Sequence, residues 1–126
     1  MVSSAPVILV VEDEYIIRAA LVAELEQAGW KVLEARTGEA ALAQLRGEQR
    51  IDVLVTDIQL AGYLSGWEVA EGFRAATPDI PVVYMSGKAV DKSRMVPGSV
   101  FLSKPFAPQD VLAAARETMQ MSQRTA

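Results

Sequence analysis

The chain contains five short apolar runs, each bounded by polar or turn-forming residues. They span residues 7–11, 31–35, 51–57, 82–86 and 99–103. Runs of this length that are rich in valine and leucine are typical of strands covered on both faces, as in a parallel sheet. Periodicity alone does not distinguish them from buried helix. We interpret all five as β-strands.

Apolar residues recur at helical spacing in three of the four segments between these runs and again after the last run. Thr37 is expected to cap the second helix, Pro78 to close the third, and Pro108 to lie in the first turn of the last. The predicted inward residues are, in chain order, Ile17, Leu21, Leu25 and Ala28; Ala41 and Leu45; Val69, Ala70 and Phe73; and Val111, Leu112, Ala115 and Met119. These stripes predict amphipathic helices.

The segment between Gly87 and Gly98 has no such stripe. A helix of this length without buried contacts is marginal in water. The fourth helix is therefore expected to be weak or missing, and a mobile loop or a single short turn is predicted in its place.

Alternation of strands and helices predicts a three-layer α/β domain with a parallel sheet and right-handed crossovers. Two architectures fit this pattern, the flavodoxin-like strand order 2-1-3-4-5 and half of a Rossmann fold. The first strand is followed by acids and not by a Gly-x-Gly-x-x-Gly loop, so the flavodoxin-like order with five parallel strands is favoured.

Composition limits both the size and the chemistry of the protein. The 126 residues fit one domain over residues 1–126, with a core at about 6–120 and a polar tail after it. The absence of cysteine and histidine excludes disulfides, thiolate nucleophiles and imidazole bases. A net charge of -4 argues against direct nucleic-acid binding. No apolar segment has the length of a membrane span, so a cytoplasmic protein is expected.

Charged and hydroxyl side chains follow four of the predicted strands. In the order 2-1-3-4-5 the first and third strands are neighbours, so Glu12 and Asp13 are expected to face Asp57. Three carboxylates repel one another unless a cation neutralises them, and oxygen-only ligands indicate a hard ion such as Mg²⁺. Ser86 and Lys104 add a hydroxyl and an ammonium to the same edge. Taken singly, each residue has an ordinary capping or surface role; together they predict a phosphoryl-binding site with Asp57 as the acceptor.

These motifs resemble the receiver domain of two-component response regulators over nearly the whole chain. The resemblance rests on Glu12-Asp13, Asp57, Ser86 and Lys104-Pro105-Phe106, each after the corresponding strand. It implies a phosphoacceptor signalling domain that uses Mg²⁺ and changes its interaction surface when phosphorylated. The implied phosphoryl donor is a sensor histidine kinase or a phosphotransfer protein, and a monomer or weak dimer is expected.

The resemblance also implies a role for each site residue. Asp57 would be the phosphoacceptor, and Asp13, Asp57 and the backbone carbonyl of Gln59 would bind Mg²⁺, with Glu12 assisting through water. Ser86 and Lys104 would bind the phosphoryl group. The remaining implied features are the switch aromatic Phe101 and a cis peptide bond before Pro105.

The sequence departs from the common family pattern in three places. After Asp57, Leu60-Ala61 replaces the usual Met-Pro and Gly66 falls one residue late. Ser86 and Lys104 are only 18 positions apart, as in a subset of receivers, and Phe101 lacks the hydroxyl that many relatives carry. Two alternatives stay open: a docking module that takes no phosphate, and a small phosphohydrolase that uses an aspartyl phosphate. The second lacks the expected Asp-x-Asp signature because Gln59 follows Asp57 at that spacing. An enzyme with an external substrate is not expected.

Overall fold

The computed structural model describes residues 5–125, and side chains as far as residue 122. Within this range strands and helices alternate. The strands are β1 (Val7–Val11), β2 (Lys31–Ala35), β3 (Val53–Asp57), β4 (Val82–Ser86) and β5 (Val100–Ser103), and the helices are α1 (Tyr15–Gln27), α2 (Gly38–Ala43), α3 (Gly66–Ala76) and α4 (Pro108–Thr125). All five predicted strands are confirmed within two residues.

The strands form one parallel sheet in the order β2-β1-β3-β4-β5, which confirms the predicted topology. β1 pairs with β3 from Ile8 opposite Val53 to Val11 opposite Thr56. This register brings the residues that follow β1 beside the end of β3. Every residue of β1, β3 and β4 is buried, as expected for strands covered on both faces.

Two apolar layers hold the helices on the sheet. Side chains such as Ile8 and Val55 pack beneath α1 and α4 on one face. Leu9 and Tyr84 pack beneath α2 and α3 on the other. The three-layer arrangement therefore follows from the alternation of side chains along each strand.

Side-chain caps fix the start of α2 and α3. The Thr37 hydroxyl accepts a hydrogen bond from the Ala40 amide at 3.0 Å, as predicted. α3 begins with a capping box in which Ser65 accepts from the Trp67 amide at 3.2 Å and Glu68 accepts from the Ser65 amide at 2.7 Å. Such boxes satisfy amides that lack a partner inside the helix.

Two predicted inward residues lie elsewhere. Ala28 is exposed at the end of α1, where the chain leaves the helix through Gly29 with φ of 92°. Leu45 is half exposed because α2 tightens into a 3-10 turn, Gln44–Arg46, that rotates it away from the sheet. The tail predicted after residue 120 continues α4 to Thr125, and Ala126 and the leader at 1–4 lie outside the described residues.

The segment between β4 and β5 contains a single 3-10 turn, Lys92–Arg94, and no α-helix. Asp91 caps this turn by accepting from the Ser93 amide at 2.9 Å. The Tyr84 hydroxyl accepts from the Val96 amide at 3.2 Å and joins the later part of the segment to β4. A short turn therefore occupies the segment in which a weak or missing fourth helix was expected. The label α4 belongs to the helix that follows β5.

No helix among residues 5–125 combines the length and the hydropathy that a bilayer span requires.

Candidate functional site

The carboxyl ends of four strands bring the predicted site residues to one edge of the sheet. Glu12 and Asp13 follow β1, and Asp57 is the last residue of β3. One carboxylate oxygen from each of these three residues lies within 4.8 Å of the others. The convergence of the three acids is therefore observed in the fold, for the reason that strand order predicted.

Lys104 joins two of the three acids. Its Nζ lies 2.9 Å from Asp57 Oδ2 and 2.9 Å from Glu12 Oε1. The lysine follows β5, and its backbone amide donates to the Ser86 carbonyl at 2.8 Å, which holds the end of β5 beside β4. One ammonium thus faces two carboxylates and leaves the cluster with excess negative charge.

The Asp57 carboxylate is buried, with its two oxygens in different environments. Oδ2 accepts from Lys104, whereas Oδ1 is buried and has no hydrogen-bond partner among the described residues. A buried carboxylate oxygen without a donor is costly unless a ligand satisfies it. This oxygen points to binding of a cation or of an incoming group.

Gly66 supports the Asp57 backbone. A Cβ at this glycine would lie 2.2 Å from the Asp57 carbonyl oxygen, so the chain approaches closely here. The Gly66 amide donates to the Ile58 carbonyl at 2.9 Å. Although this glycine comes one residue later than the family pattern, it still packs against the acid-bearing strand.

Glu12 has no solvent-exposed surface. Its pKa is raised to about 7, chiefly by burial and also by the nearby Asp57 charge, while hydrogen bonds from Lys104 and from the Glu14 amide act in the opposite direction. The pKa of Lys104 is also raised; burial opposes this change, but the bonds to Glu12 and Asp57 outweigh it. We conclude that Lys104 stays charged and that burial favours the protonated form of Glu12.

Ser86 ends β4, next to β3, but its hydroxyl is hydrogen-bonded to residues other than Asp57. Its hydroxyl lies 2.8 Å from the side-chain carbonyl of Gln59 and accepts from the Lys88 amide at 3.1 Å. The sequence therefore located Ser86 at the right edge, while its partner in this structure, the Gln59 side chain, was not predicted. The Gln59 backbone carbonyl stays a predicted ligand.

The two remaining predicted residues lie at β5 and just after it. Phe101 is half-buried against the α3 layer, and Lys92 Nζ lies 4.5 Å from the centre of its ring. The Lys104–Pro105 peptide bond is cis, as the resemblance implied. Whether Phe101 acts as a switch stays a prediction.

Sequence reasoning missed Arg18. Its side chain is only 10% exposed, and it donates to the Glu12 carbonyl at 2.8 Å and to Glu34 Oε1 at 3.0 Å. The helical spacing could have revealed it, because Arg18 lies three residues before Leu21 and seven before Leu25, and these three are the buried residues of α1. A basic residue on the apolar stripe of a helix indicates a buried polar contact.

The donor set fits a divalent cation. The three acids offer only oxygen, which is the ligand type that Mg²⁺ and Ca²⁺ prefer, and the chain has no cysteine or histidine to attract a softer ion. The buried Oδ1 of Asp57 is a free ligand atom within this cluster.

This combination of a 2-1-3-4-5 sheet with acids, hydroxyl and lysine at one edge defines a receiver-type signalling domain. The family model "Response regulator receiver domain" matches residues 8–116. The chain belongs to the response regulator receiver domain family, which confirms the resemblance.

Individual proteins show the same similarity. The chain is 30% identical to the probable transcriptional regulatory protein TcrX of Mycobacterium tuberculosis, over 90% of this chain and 49% of that protein. It is 31% identical to the sensor kinase CckA of Brucella abortus, over 94% of this chain and 13% of that protein. A crystal structure of a response regulator receiver protein from Sinorhizobium medicae superposes with a TM-score of 0.89 at 33% identity, covering 94% of this chain and 97% of the other. The chain spans about half the length of TcrX.

Proposed function

We propose that Asp57 accepts a phosphoryl group and that the domain signals through this modification. The observation that carries the proposal is the Asp57 carboxylate itself: Lys104 holds Oδ2 at 2.9 Å, while Oδ1 is buried without a donor among the described residues. An anchored carboxylate with one free oxygen suits attack on phosphorus. Glu12 also contacts Lys104, but both of its carboxylate oxygens already accept hydrogen bonds, from Lys104 and from the Glu14 amide.

In the proposed reaction, an Asp57 oxygen forms a bond to phosphorus as the donor's bond to phosphorus breaks. For a phosphohistidine donor, the P–N bond breaks and the imidazole nitrogen keeps its electron pair. Lys104 is placed to pair with a phosphoryl oxygen because its Nζ already lies beside Asp57. Ser86 would bind another oxygen after its hydroxyl leaves Gln59.

We propose Mg²⁺ as the cation of this site. Asp13, Asp57 and the Gln59 backbone carbonyl would hold it, and Glu12 would assist through water. When bound, Mg²⁺ would neutralise the acids and the charge that develops on the phosphoryl oxygens. The excess negative charge around the single ammonium of Lys104 supports this assignment.

The phosphoryl donor is proposed to be a histidine kinase or a phosphotransfer protein. The chain has no histidine, so a phosphohistidine must come from elsewhere. An apolar cavity of about 400 Å³, lined in part by Ile16, Pro105 and Phe106, adjoins Lys104. Ile16 is 81% exposed beside it. A partner that covers this apolar surface would bring its donor group close to Asp57.

This proposal makes the domain a regulatory phosphoacceptor and not an enzyme with an external substrate. Receiver domains are regulatory modules of two-component systems, and Gln59 stands where an aspartyl-phosphate hydrolase would carry its second acid. The cytoplasm is the proposed location, because kinases make phosphohistidine from ATP there.

Intact-mass spectrometry after incubation with acetyl phosphate and Mg²⁺ tests the proposal. The protein should gain one phosphoryl group, and chelation of the metal should suppress the gain. Asp57→Asn should show none. Asp52→Asn is the matched control, since Asp52 lies before the opposite end of β3, where it accepts from the Val7 amide at 2.8 Å. An equal gain in Asp57→Asn would refute the assignment, and no gain in the unaltered protein would favour the docking module.

A further inference from the structure

Arg18 connects three parts of the molecule that surround the acidic cluster. It lies on α1, its Nη1 donates to the Glu12 carbonyl at 2.8 Å, and its Nε donates to Glu34 on β2 at 3.0 Å. The Arg18 side chain is 10% exposed, whereas the Glu34 carboxylate is 49% exposed. The guanidinium thus reaches from the helix to the loop that carries two of the three acids.

The Glu12 residue is held on every side. Its amide donates to the Ala35 carbonyl at 3.1 Å, and its carbonyl accepts from Arg18. Its carboxylate accepts from Lys104 and from the Glu14 amide. Among these contacts, only the bond from Arg18 fixes the peptide unit between Glu12 and Asp13. The orientation of that peptide sets the direction in which the Asp13 side chain leaves the backbone.

The charge of Arg18 has its own partner. A lone guanidinium beside the cluster would compete electrostatically with a bound cation, because both are positive. Glu34 pairs with Arg18, so the arginine can hold the loop by a hydrogen bond while the pair adds no net charge. The planar guanidinium donates to both acceptors at once, which a lysine ammonium on a flexible stem does less well.

We propose that Arg18, together with Glu34, is a positioning residue that fixes the Glu12–Asp13 peptide in the orientation required for divalent-cation binding. The inference rests on the proposed function, since it concerns the same cation site. Residues that orient metal ligands without contacting the metal typically contribute 10–100-fold to metal affinity.

Mg²⁺ titration followed by the amide NMR signals of Asp13 and Glu14 measures this contribution. Arg18→Met should raise the Mg²⁺ Kd about tenfold or more. Arg18→Lys should give an intermediate value, because one donor can still reach the Glu12 carbonyl. Glu34→Gln should raise the Kd less than Arg18→Met, and its effect should shrink at high salt, since it leaves the bond to Glu12 but removes the neutralising charge.

Arg74→Met is the matched control. Arg74 donates through Nε to the Ile80 carbonyl at 2.8 Å, the same kind of bond, but Ile80 precedes β4 at the opposite edge of the sheet. Its loss should lower the melting temperature without changing the Mg²⁺ Kd. If Arg18→Met lowers the melting temperature while its Kd stays within twofold of the unaltered protein, Arg18 is only structural and the proposal is overturned. Arg18→Lys carries the same test if Arg18→Met does not fold.

Amide hydrogen exchange in the metal-free protein separates this inference from the proposed function. Arg18→Met should accelerate exchange at Glu12 and Glu14, whose amides bond to Ala35 and to the Glu12 carboxylate, while Arg74→Met should not. If the unaltered protein binds no Mg²⁺, the metal part of the proposed function fails, and unchanged exchange in Arg18→Met would overturn the positioning role independently.

Discussion

Replacement of Glu12 by Gln tests the electrostatics of the acidic cluster through the pH dependence of stability. Burial raises the Glu12 pKa from 4.5 to about 7 in the folded protein. Between these two values the folded state binds a proton that the unfolded state releases. The free energy of unfolding therefore falls as pH rises through this window, and the loss is complete above about pH 7.

The magnitude follows from the size of the shift. One pKa unit corresponds to about 1.4 kcal/mol, so the change from 4.5 to about 7 represents at most about 3–4 kcal/mol. Gln mimics the protonated acid but has one oxygen for two donors, Lys104 and the Glu14 amide. The loss of one hydrogen bond costs about 1 kcal/mol and does not depend on pH.

The difference in stability between the two proteins should therefore grow with pH. Glu12→Gln should be about as stable as the unaltered protein near pH 5, where Glu12 of the unfolded chain is already largely ionised, and more stable by about 2 kcal/mol near pH 8. The window is free of interference from histidine, which the chain lacks. The lowered pKa values of Glu68 and Asp91 act on stability at lower pH, and the raised pKa of Lys104 acts at higher pH.

Urea denaturation at pH 5, 6, 7 and 8 in the presence of EDTA is the assay. Trp30 and Trp67 are both 8% exposed and report unfolding by fluorescence. A free-energy difference between the two proteins that stays constant from pH 5 to 8 would show that Glu12 is ionised throughout, and the reasoning about its burial would be wrong.

Three further outcomes follow from the structure. Gly66→Ala should lower the free energy of unfolding by about 1–3 kcal/mol despite the better helix propensity of Ala, because the new Cβ would meet the Asp57 carbonyl. The Cβ of Gly72→Ala would meet only the end of a leucine side chain, so this variant should lose less stability when the two are melted in parallel. Mg²⁺ at ten times its Kd should stabilise the fold by about 1.4 kcal/mol. In thermal melting, Asp13→Asn should be more stable than the unaltered protein without metal but should lose most of the stabilisation by Mg²⁺. If Mg²⁺ stabilises this variant as much as the unaltered protein, the ion binds elsewhere. Amides of residues 88–97 should exchange rapidly and slow when beryllofluoride binds; strong protection in its absence would contradict loop ordering.

The parts of the fold that could be predicted from the sequence have local patterns of apolar residues that fit only one kind of structure. The buried runs of β1, β3 and β4 have no polar face, so only a sheet covered on both sides accommodates them. Because the carboxyl ends of parallel strands share one edge, Asp13, Asp57 and Lys104 converge without any contact being visible in the sequence. The predicted strand order was therefore the main basis for predicting which residues lie together at the site.

The parts that sequence missed depend on side-chain direction across elements distant in the chain. The bond of Ser86 to Gln59 spans 27 positions, and the contact of Arg18 with Glu34 spans 16. No periodic pattern encodes either one. The rotation of Leu45 out of the core arises where α2 tightens into a 3-10 turn, a change of about half a residue per turn that a helical stripe does not reveal.

The most direct test of the central claim locates the phosphoryl group chemically. Borohydride reduces an aspartyl phosphate to homoserine in two steps. The first hydride adds to the carbonyl carbon and expels phosphate to leave an aldehyde, and a second hydride with a proton from water reduces this aldehyde to the alcohol. After incubation with acetyl phosphate and Mg²⁺, reduction and peptide mapping should find homoserine at position 57 alone. Homoserine in place of another aspartate, or incorporated phosphate with position 57 unreduced, would contradict the assignment of Asp57 as the phosphoacceptor.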